Sequence, residues 1–206
     1  MRRALALSLF VLTTIVFPAW TQAEEEFRPL FNGENLEGWS GDAELWSVED
    51  GAIAGSTEAK ELKHNSFLAT DKTYKNFVVR LKFKLRNGNS GVQIRSKLLD
   101  DHVVQGYQAD IAEERFMGIL YEEGGRGILA DVKAEEVGEH VKKDDWNEYV
   151  LTVDGPHIKQ ELNGFTTVDY EEKSDEGAKE GVIALQLHVG PKMRVWFKDV
   201  EIKELP

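Results

Sequence analysis

The feature that most constrains the fold of this 206-residue chain is an alternation of apolar and polar side chains. In Phe77–Arg86, apolar residues hold every odd-numbered position to Leu85, and from Arg80 onward basic residues hold the even-numbered ones. Successive side chains of a β-strand point to opposite faces, so this pattern predicts a strand with one buried face. Similar runs recur between turn residues, and helical patterns are almost absent. We therefore predict an all-β sandwich or barrel.

Turn signals locate further strands. Asp154-Gly155-Pro156 separates two apolar runs and predicts a hairpin. Asn163-Gly164 tolerates positive φ and predicts a second hairpin turn. In the last apolar run the parity changes between Phe197 and Val200, which predicts a β-bulge.

The stretch between Ile111 and Trp146 is less regular and rich in glycine and charge. Long irregular segments on a β scaffold often form binding loops, although a solvated excursion is an equal alternative. Within it, Glu122-Glu123-Gly124-Gly125 offers carboxylate oxygens of the kind that hard cations bind. A divalent cation is therefore an open alternative, beside a simple solvated loop.

The N-terminus resembles a secretory signal peptide. Met1-Arg2-Arg3 is basic, an apolar run follows to about Ala19, and Thr21-Gln22-Ala23 fits a cleavage site. The apolar run is shorter than the roughly 20 residues of a membrane helix, although an N-terminal anchor is the alternative. We predict a signal peptide over 1–23 and a single domain over 24–206, exported to a bacterial periplasm or exterior. The absence of cysteine excludes disulfides.

Acidic residues dominate the charge. The 37 Asp and Glu residues outnumber the 25 Lys and Arg residues, for a formal net charge of −12. Such a surface repels nucleic acid and anionic membranes, so neither is an expected partner. It favours a neutral or cationic ligand or a bound cation, and solubility alone is the alternative explanation.

Three strand-like runs carry polar residues two positions apart. The pairs are Gln93 with Arg95, Gln108 with Asp110, and Gln186 with His188. Members of a pair share a strand face, opposite to apolar neighbours that we expect in the core. A sheet face lined by amides, an arginine, an aspartate and a histidine suits a polyhydroxylated ligand such as a sugar.

The segment Phe31-Asn32-Gly33-Glu34-Asn35-Leu36-Glu37-Gly38-Trp39 resembles the opening of a bacterial exported family, the 3-keto-disaccharide hydrolases, also catalogued as domain of unknown function 1080. Further matches follow in the same order. They are Trp46–Gly51, Tyr74–Phe77, Asn89-Ser90-Gly91 with Arg95, Gly106-Tyr107-Gln108, Trp146-Asn147, Leu162–Gly164, Gly181–His188 and Val195–Ile202. The resemblance covers about 27–205.

This resemblance implies a concanavalin A-like jelly roll of two antiparallel sheets, with a ligand groove on the concave face of one. It also implies cleavage of sugars oxidised to a ketone at carbon 3, by elimination and hydration or by net hydrolysis. The fold resembles family 16 glycoside hydrolases too, but Gln108 stands where their nucleophile would be, which argues against a two-carboxylate mechanism. Many members of the resembling family read Glu-x-Gln on this strand, whereas this chain reads Gln108-x-Asp110.

Within that chemistry, the candidate catalytic residues are Asp110, His188 and Arg95. Asp110 or His188 is a candidate base for the carbon 2 proton, and the fixed charge of Arg95 suits the enolate. The alternatives are an Asp110–Arg95 ion pair that only balances charge and a structural His188.

The candidate substrate-binding residues are amides and tyrosines on the same strands and on the irregular segment. They are Asn89, Gln93, Tyr107, Gln108, Tyr121 and Gln186. An amide ladder across the sheet is the alternative for the glutamines, and a turn role is the alternative for Asn89. Four tryptophans are expected in the core more than as sugar platforms, namely Trp39, Trp46, Trp146 and Trp196.

We therefore predict an enzyme that cleaves 3-keto-glycosides, acting on a small-molecule or oligosaccharide substrate. A non-catalytic carbohydrate-binding module that uses the same groove is the alternative. A purely structural surface protein is a third.

Overall fold

The computed structural model describes residues 26–113 and 115–206, so the predicted signal peptide lies outside the described residues. Within them, fifteen strands and one short helix follow one another. These are β1 Arg28–Pro29, β2 Trp39–Ser40, β3 Trp46–Glu49, β4 Ala52–Ser56, β5 Ser66–Thr70, β6 Phe77–Arg86, β7 Asn89–Leu98, β8 Val104–Ala112, β9 Leu120–Glu123, β10 Gly127–Ala130, α1 Ala134–Gly138, β11 Asn147–Asp154, β12 His157–Leu162, β13 Phe165–Glu171, β14 Val182–Leu187 and β15 Arg194–Glu204.

The strands form two antiparallel sheets, as the all-β prediction requires. The first sheet has the order β13-β12-β11-β6-β15-β4-β3, with β1 paired to β15, and the second has the order β10-β9-β8-β7-β14-β5-β2. Residues of both sheets, such as Phe83, Leu151, Ile94 and Leu185, share one buried apolar cluster. Two antiparallel sheets packed face to face on such a core make a jelly-roll sandwich.

The turn and bulge predictions are confirmed. Asp154 pairs with His157 around the predicted turn, and Asn163 and Gly164 have φ of 49° and 82°. In β15 the register shifts between Lys198 and Glu201. A bulge inserts a residue and restores the buried parity of the strand beyond it.

The irregular segment holds more structure than its sequence indicates. It contains the short hairpin of β9 and β10 and the five-residue helix α1. β9 pairs with β8, which extends the second sheet beyond the strands that the sequence identified. In the described part of the chain, no helix is long and apolar enough to span a membrane.

The tryptophans divide between core and surface. Trp39 and Trp46 are buried, as predicted. The prediction is wrong for Trp146 and Trp196, which are only partly buried. They lie on the outer face of the first sheet, where the Lys84 ammonium is 5.3 Å and 4.9 Å from their ring centroids. The Lys84 ammonium is attracted to the faces of both rings, which places these tryptophans in a charged surface cluster and not in the core.

The outer face of the second sheet is partly covered by the connection between β7 and β8. Its His102 carbonyl accepts a 2.9 Å hydrogen bond from the backbone N–H of Phe67 in β5. Val104 then packs in a small apolar cluster with Phe67, Ala69, Val182 and Ala184. This cover leaves the part of the face nearer β8 and β9 open, and the candidate site lies there.

Candidate functional site

A groove of about 340 Å³ lies on the open part of this face. We call it the Asp110 groove. Its lining residues are Asn65, Asn89, Gln108, Asp110, Phe116, Tyr121, Glu123, Ile128 and His188.

Strand parity explains much of this lining. Gln108 and Asp110 point away from the core because their neighbours Ala109 and Ile111 point into it. Tyr121 pairs directly with Gln108 in the adjacent strand, so both side chains share the groove face.

Asp110 is the most unusual group in the groove. It is 4% exposed, and no basic side chain of the described residues neutralises it. Burial raises the pKa of its carboxyl to about 7, the negative charge of Glu123 adds to that effect, and the amides of Gln108 and Asn89 oppose it. A carboxyl group of this kind exchanges a proton near neutral pH.

A chain of side-chain hydrogen bonds ends on Asp110. The Ser96 hydroxyl donates to Gln93 Oε1 at 2.5 Å, Gln93 Nε2 donates to Gln108 Oε1 at 2.8 Å, and Gln108 Nε2 donates to Asp110 Oδ1 at 2.8 Å. Each hydrogen bond in the chain is donated in the direction of the Asp110 carboxylate. The chain therefore fixes one oxygen of Asp110 and favours its ionised form.

A glycine makes room for this chain. Gly91 lies directly opposite Asp110 in the register of β7 and β8. A Cβ atom at position 91 would lie 2.5 Å from Cδ of Gln108. The Gln108 side chain thus crosses the space above Gly91 on its way to Asp110.

The other predicted glutamines serve this network or lie beside it. Gln93 is fully buried and is hydrogen-bonded to Gln108 and Ser96, so its contacts are those of the amide ladder that was the alternative to sugar binding. Gln186 is also fully buried, and its side-chain nitrogen and oxygen have no partner among the described residues. Neither residue lines the groove, and sugar binding by them stays a prediction.

Arg95 is not in the groove. A register shift after Ile94 and a φ of 47° turn its side chain off the face that Gln93 occupies. Its guanidinium donates to the carbonyl of Lys75 at 2.5 Å, the carbonyl of Gly155 at 2.6 Å and Asn76 Oδ1 at 2.9 Å. The prediction that Arg95 shares a face with Gln93 is wrong, because the bulge breaks the alternation. The alternative of an Asp110–Arg95 ion pair is not found either, since the Arg95 guanidinium is bonded elsewhere.

Tyr107 is likewise outside the groove. It lies on the core face of β8, is 1% exposed, and its hydroxyl donates to Glu172 at 2.7 Å. It lines a second cavity together with Arg95. Of the predicted substrate-binding residues, Asn89, Gln108 and Tyr121 line the groove.

His188 does line the groove, one residue beyond the end of β14. Its Nδ1 is 2.5 Å from the carbonyl oxygen of Val189, so Nδ1 carries a hydrogen and Nε2 is the atom left for a ligand. The next residue is held in turn, because the Val189 N–H donates to Asn65 Oδ1 at 2.9 Å.

Sequence reasoning considered Glu123 only as a possible cation ligand and missed it as a second acid in the groove. Glu123 is two residues from Tyr121 and pairs with Gly106, so strand parity would have placed it on this face. Its Oε1 accepts a 3.0 Å hydrogen bond from Asn65 Nδ2. Asn65 precedes β5, and no local pattern in the sequence signals its position.

An exposed apolar rim was also missed. Phe116 is 46% exposed and Ile128 is 43% exposed, and both line the groove. Together with the ring of Tyr121 they form an apolar wall beside polar groups, the mixture that suits the faces and hydroxyls of a sugar ring.

The placement of the acidic and histidine side chains in the described residues does not identify a binding site for the predicted cation. Over 26–113 and 115–206, no group of three or more His, Cys, Asp or Glu side chains is placed to hold a metal ion. Glu122, one of the two acids considered for this role, is paired with Arg126 at 2.7 Å.

Solved structures of similar fold have carbohydrate-related descriptions. Two are described as candidate glycosyl hydrolases from Parabacteroides distasonis ATCC 8503. One has a TM-score of 0.68 and 23% identity over 88% of this chain and 95% of its own. The other has a TM-score of 0.65 and 25% identity over 87% and 100%. The carbohydrate-binding module CBM66 from Bacillus subtilis has a TM-score of 0.63 and 15% identity over 81% and 96%.

The fold is therefore that of the jelly-roll sandwiches found in carbohydrate-active proteins, including glycosyl-hydrolase-like domains. More specifically, the chain belongs to the family of 3-keto-alpha-glucoside-1,2-lyase-like domains, whose model matches residues 26–203. Comparison with curated protein sequences gives no match.

Proposed function

We propose that this protein is an enzyme that cleaves 3-keto-glycosides by removing the proton on carbon 2, with Asp110 as the general base. The single observation that carries the proposal is the buried Asp110 carboxyl, which has no cationic partner in the described residues and a pKa of about 7. A base with a pKa near the working pH combines a useful ionised fraction with adequate basicity. The family match supports the same class of substrate.

The proposed reaction uses the groove residues in order. Asp110 takes the proton from carbon 2, which the neighbouring ketone acidifies, and the electron pair forms an enolate on carbons 2 and 3. The enolate then collapses to a double bond between carbons 1 and 2 as the bond from carbon 1 to the leaving oxygen breaks. Addition of water to this product completes a net hydrolysis.

Hydrogen-bond donors in the groove suit the developing charges. The Asn89 amide and the Tyr121 hydroxyl line the groove and are the proposed donors to the enolate oxygen. His188 is the proposed proton donor to the leaving oxygen, since its Nε2 is not used by the backbone contact. Arg95, bonded outside the groove, has no part in this step.

The test is product release from 3-keto-trehalose and 3-keto-glucosides, beside the unoxidised sugars. We expect the purified protein to act on the keto sugars alone. Asp110→Asn should lower the rate by at least about 100-fold and leave sugar affinity nearly unchanged. Asp144→Asn is the matched control, because Asp144 is exposed with a φ of 57° that asparagine tolerates.

A wild-type rate from the Asp110→Asn variant would overturn the assignment. Repeating the assay with EDTA tests the predicted cation, and unchanged turnover would exclude a removable one.

A carbohydrate-binding module without activity is the second candidate. The exposed Phe116 and Ile128 beside Tyr121 favour it, because an apolar wall serves binding whether or not bonds are cleaved. Sugar binding by calorimetry together with no turnover of any keto sugar would support this function over the enzyme.

We also propose that the protein is exported. The support is the basic, apolar and small-residue pattern of 1–23. N-terminal sequencing of protein from the producing cells should begin at Glu24, and an intact Met1 would contradict cleavage.

A further inference from the structure

A second cavity of about 310 Å³ lies away from the Asp110 groove, between the edges of the two sheets. It is bordered by the segment before β6, the turn between β11 and β12, and the connection from β13 to β14. We call it the Arg95 cavity, and the lining residues that matter for the argument are Lys75, Asn76, Arg95, Tyr107, Ser174 and Lys179.

In the described part of the chain, Arg95 is a buried cation with no carboxylate bonded to it, although the charge of Asp154 acts on it from a distance. It is 3% exposed, and its three hydrogen bonds go to two backbone carbonyls and the neutral amide of Asn76. A guanidinium has five N–H donors, so one on each terminal nitrogen is left. A buried charge whose partners are all neutral is costly, and an anion would offset that cost.

The rim of the cavity has an excess of positive charge. Lys75, Lys173 and Lys179 line it, and in the described part of the chain none of them forms an ion pair. Two acids also line the cavity: Glu172 is already bound by Arg126 at 2.6 Å and by the Tyr107 hydroxyl at 2.7 Å, and Asp175 is exposed. The cationic side chains of the lining, Arg95 and the three lysines, still outnumber these two acids. Basic groups thus collect at one place on a chain of net charge −12, and such a concentration attracts anions.

The backbone is strained where it delivers Arg95 to the cavity. Arg95 has a φ of 47°, a conformation that side chains with a Cβ rarely adopt. Its neighbour Gly181 allows close approach, since a Cβ there would lie 2.4 Å from the carbonyl carbon of Arg95. Strain of this kind persists where the surroundings require a particular side-chain placement.

We propose that the Arg95 cavity binds a small oxyanion-bearing ligand, with the Arg95 guanidinium and the ammonium groups of Lys75 and Lys179 as its charge partners. Asn76, Ser174 and the edge of Tyr107 supply polar contacts for neighbouring hydroxyls. The site is independent of the proposed catalytic groove, because Tyr107 and Asp110 point to opposite faces of β8.

The first experiment is calorimetric titration of the wild-type protein at low ionic strength with three probes. Glucuronate carries a carboxylate, inorganic phosphate carries a phosphate, and glucose is the neutral match to glucuronate. We expect one molecule of an anionic probe to bind, with affinity that falls as salt screens the charges, and no binding of glucose to this cavity. Preference between the two anions identifies a carboxylate or a phosphate ligand. Absence of binding by both overturns the proposal.

Variants then locate the binding. Lys75→Gln with Lys179→Gln should weaken anion affinity by roughly tenfold, because two exposed charges near the ligand are removed. Lys84→Gln with Lys198→Gln, on the outer face of the first sheet, is the matched control and should leave affinity unchanged. Asp110→Asn should also bind the anion normally.

Arg95→Met tests the buried partner and should abolish anion binding. Because this variant removes contacts to Lys75 and Gly155, its folding is checked by circular dichroism. Unchanged affinity in the Lys75→Gln/Lys179→Gln variant overturns the proposal whether or not Arg95→Met folds.

Discussion

At the scale of single residues, the behaviour of Asp110 is set by what surrounds it. Burial disfavours the carboxylate, while the Gln108 amide donates to one oxygen and favours it. Burial is the larger effect, so the carboxyl titrates near neutrality. An aspartate of this kind is available as a base, at a cost to folding stability that depends on pH.

The first prediction concerns that cost. Folded Asp110, with a pKa of about 7, holds its proton more tightly than in the unfolded chain, where the pKa is about 3.9. Its contribution to stability is therefore fully present below about pH 4 and is lost as pH rises to about 7, at up to about 1.4 kcal/mol per pH unit. Urea unfolding of wild type and Asp110→Asn across this range measures it, since asparagine does not titrate.

The stability of Asp110→Asn relative to wild type should rise with pH over that interval and then level off. A difference between the two proteins that is independent of pH would contradict the raised pKa.

The second prediction concerns the pH dependence of catalysis. A general base must be ionised, so kcat/KM for a 3-keto-glucoside should rise with pH through about 7, the pKa of Asp110 in the free protein. Initial rates at low substrate across a pH series measure this limb. A rising limb centred at about pH 4, the ordinary pKa of an aspartate, would contradict the raised pKa of Asp110 as the one that controls catalysis.

At the scale of elements, the pairing of β7 with β8 assembles the site. The register sets Gln93 opposite Gln108 and Gly91 opposite Asp110, so the hydrogen-bond chain crosses from β7 to β8 at Gln93 and then follows β8 to Asp110. One bulge later, Arg95 leaves that face. Two adjacent strands therefore contribute residues to both the Asp110 groove and the Arg95 cavity.

The third prediction tests the hydrogen-bond chain. Gln108→Leu removes the donor to Asp110 Oδ1 and should raise the pKa of that carboxyl further, because the ionised form loses a stabilising bond. We expect the rising limb of kcat/KM to move up by about one pH unit. The same pH series on Gln105→Ala is the control, because Gln105 is exposed on the same strand.

A lower rate with an unmoved limb would show that Gln108 acts on the substrate and not through Asp110. That outcome would restore the direct sugar contact that the sequence suggested.

At the scale of the whole molecule, a hydrogen bond joins the candidate site to the opposite sheet. Tyr149 of β11 is fully buried, and its hydroxyl donates to the backbone carbonyl of Asp110 at 2.7 Å. The first sheet thus braces β8 at Asp110. Burial raises the pKa of Tyr149, so the hydroxyl keeps its proton and remains a donor.

The fourth prediction follows from that contact. Tyr149→Phe keeps the ring in the core but leaves the Asp110 carbonyl without its donor, which should cost about 1–3 kcal/mol of stability. Thermal or urea unfolding measures the loss. Activity should fall only modestly, because the Asp110 side chain keeps its bond to Gln108. Unchanged stability would mean that water replaces the hydroxyl at no cost.

The sequence predicted well where the evidence is local. Three features can each be recognised from a short stretch of sequence: the alternation in β6, the Asn163-Gly164 turn and the bulge near Asp199. The shared face of Gln108 and Asp110 belongs to the same category, because parity along one unbroken strand needs no partner to define it.

Long-range structure decided the rest. In β15 the bulge is visible because apolar residues resume on the other parity, whereas after Ile94 the next residues are Arg95, Ser96 and Lys97, and no apolar residue marks the change. The position of Glu123 depends on the pairing of β9 with β8.

By itself, then, the sequence determined the two-faced strands, their turns and the polar face that carries Asp110. The tertiary structure alone decided that Arg95 and Tyr107 face a different cavity and that Glu123, Asn65 and His188 meet in the groove. The physical reason is that side-chain parity is a property of each strand, whereas register, bulges and loop crossings are set by the packing of segments far apart in the chain.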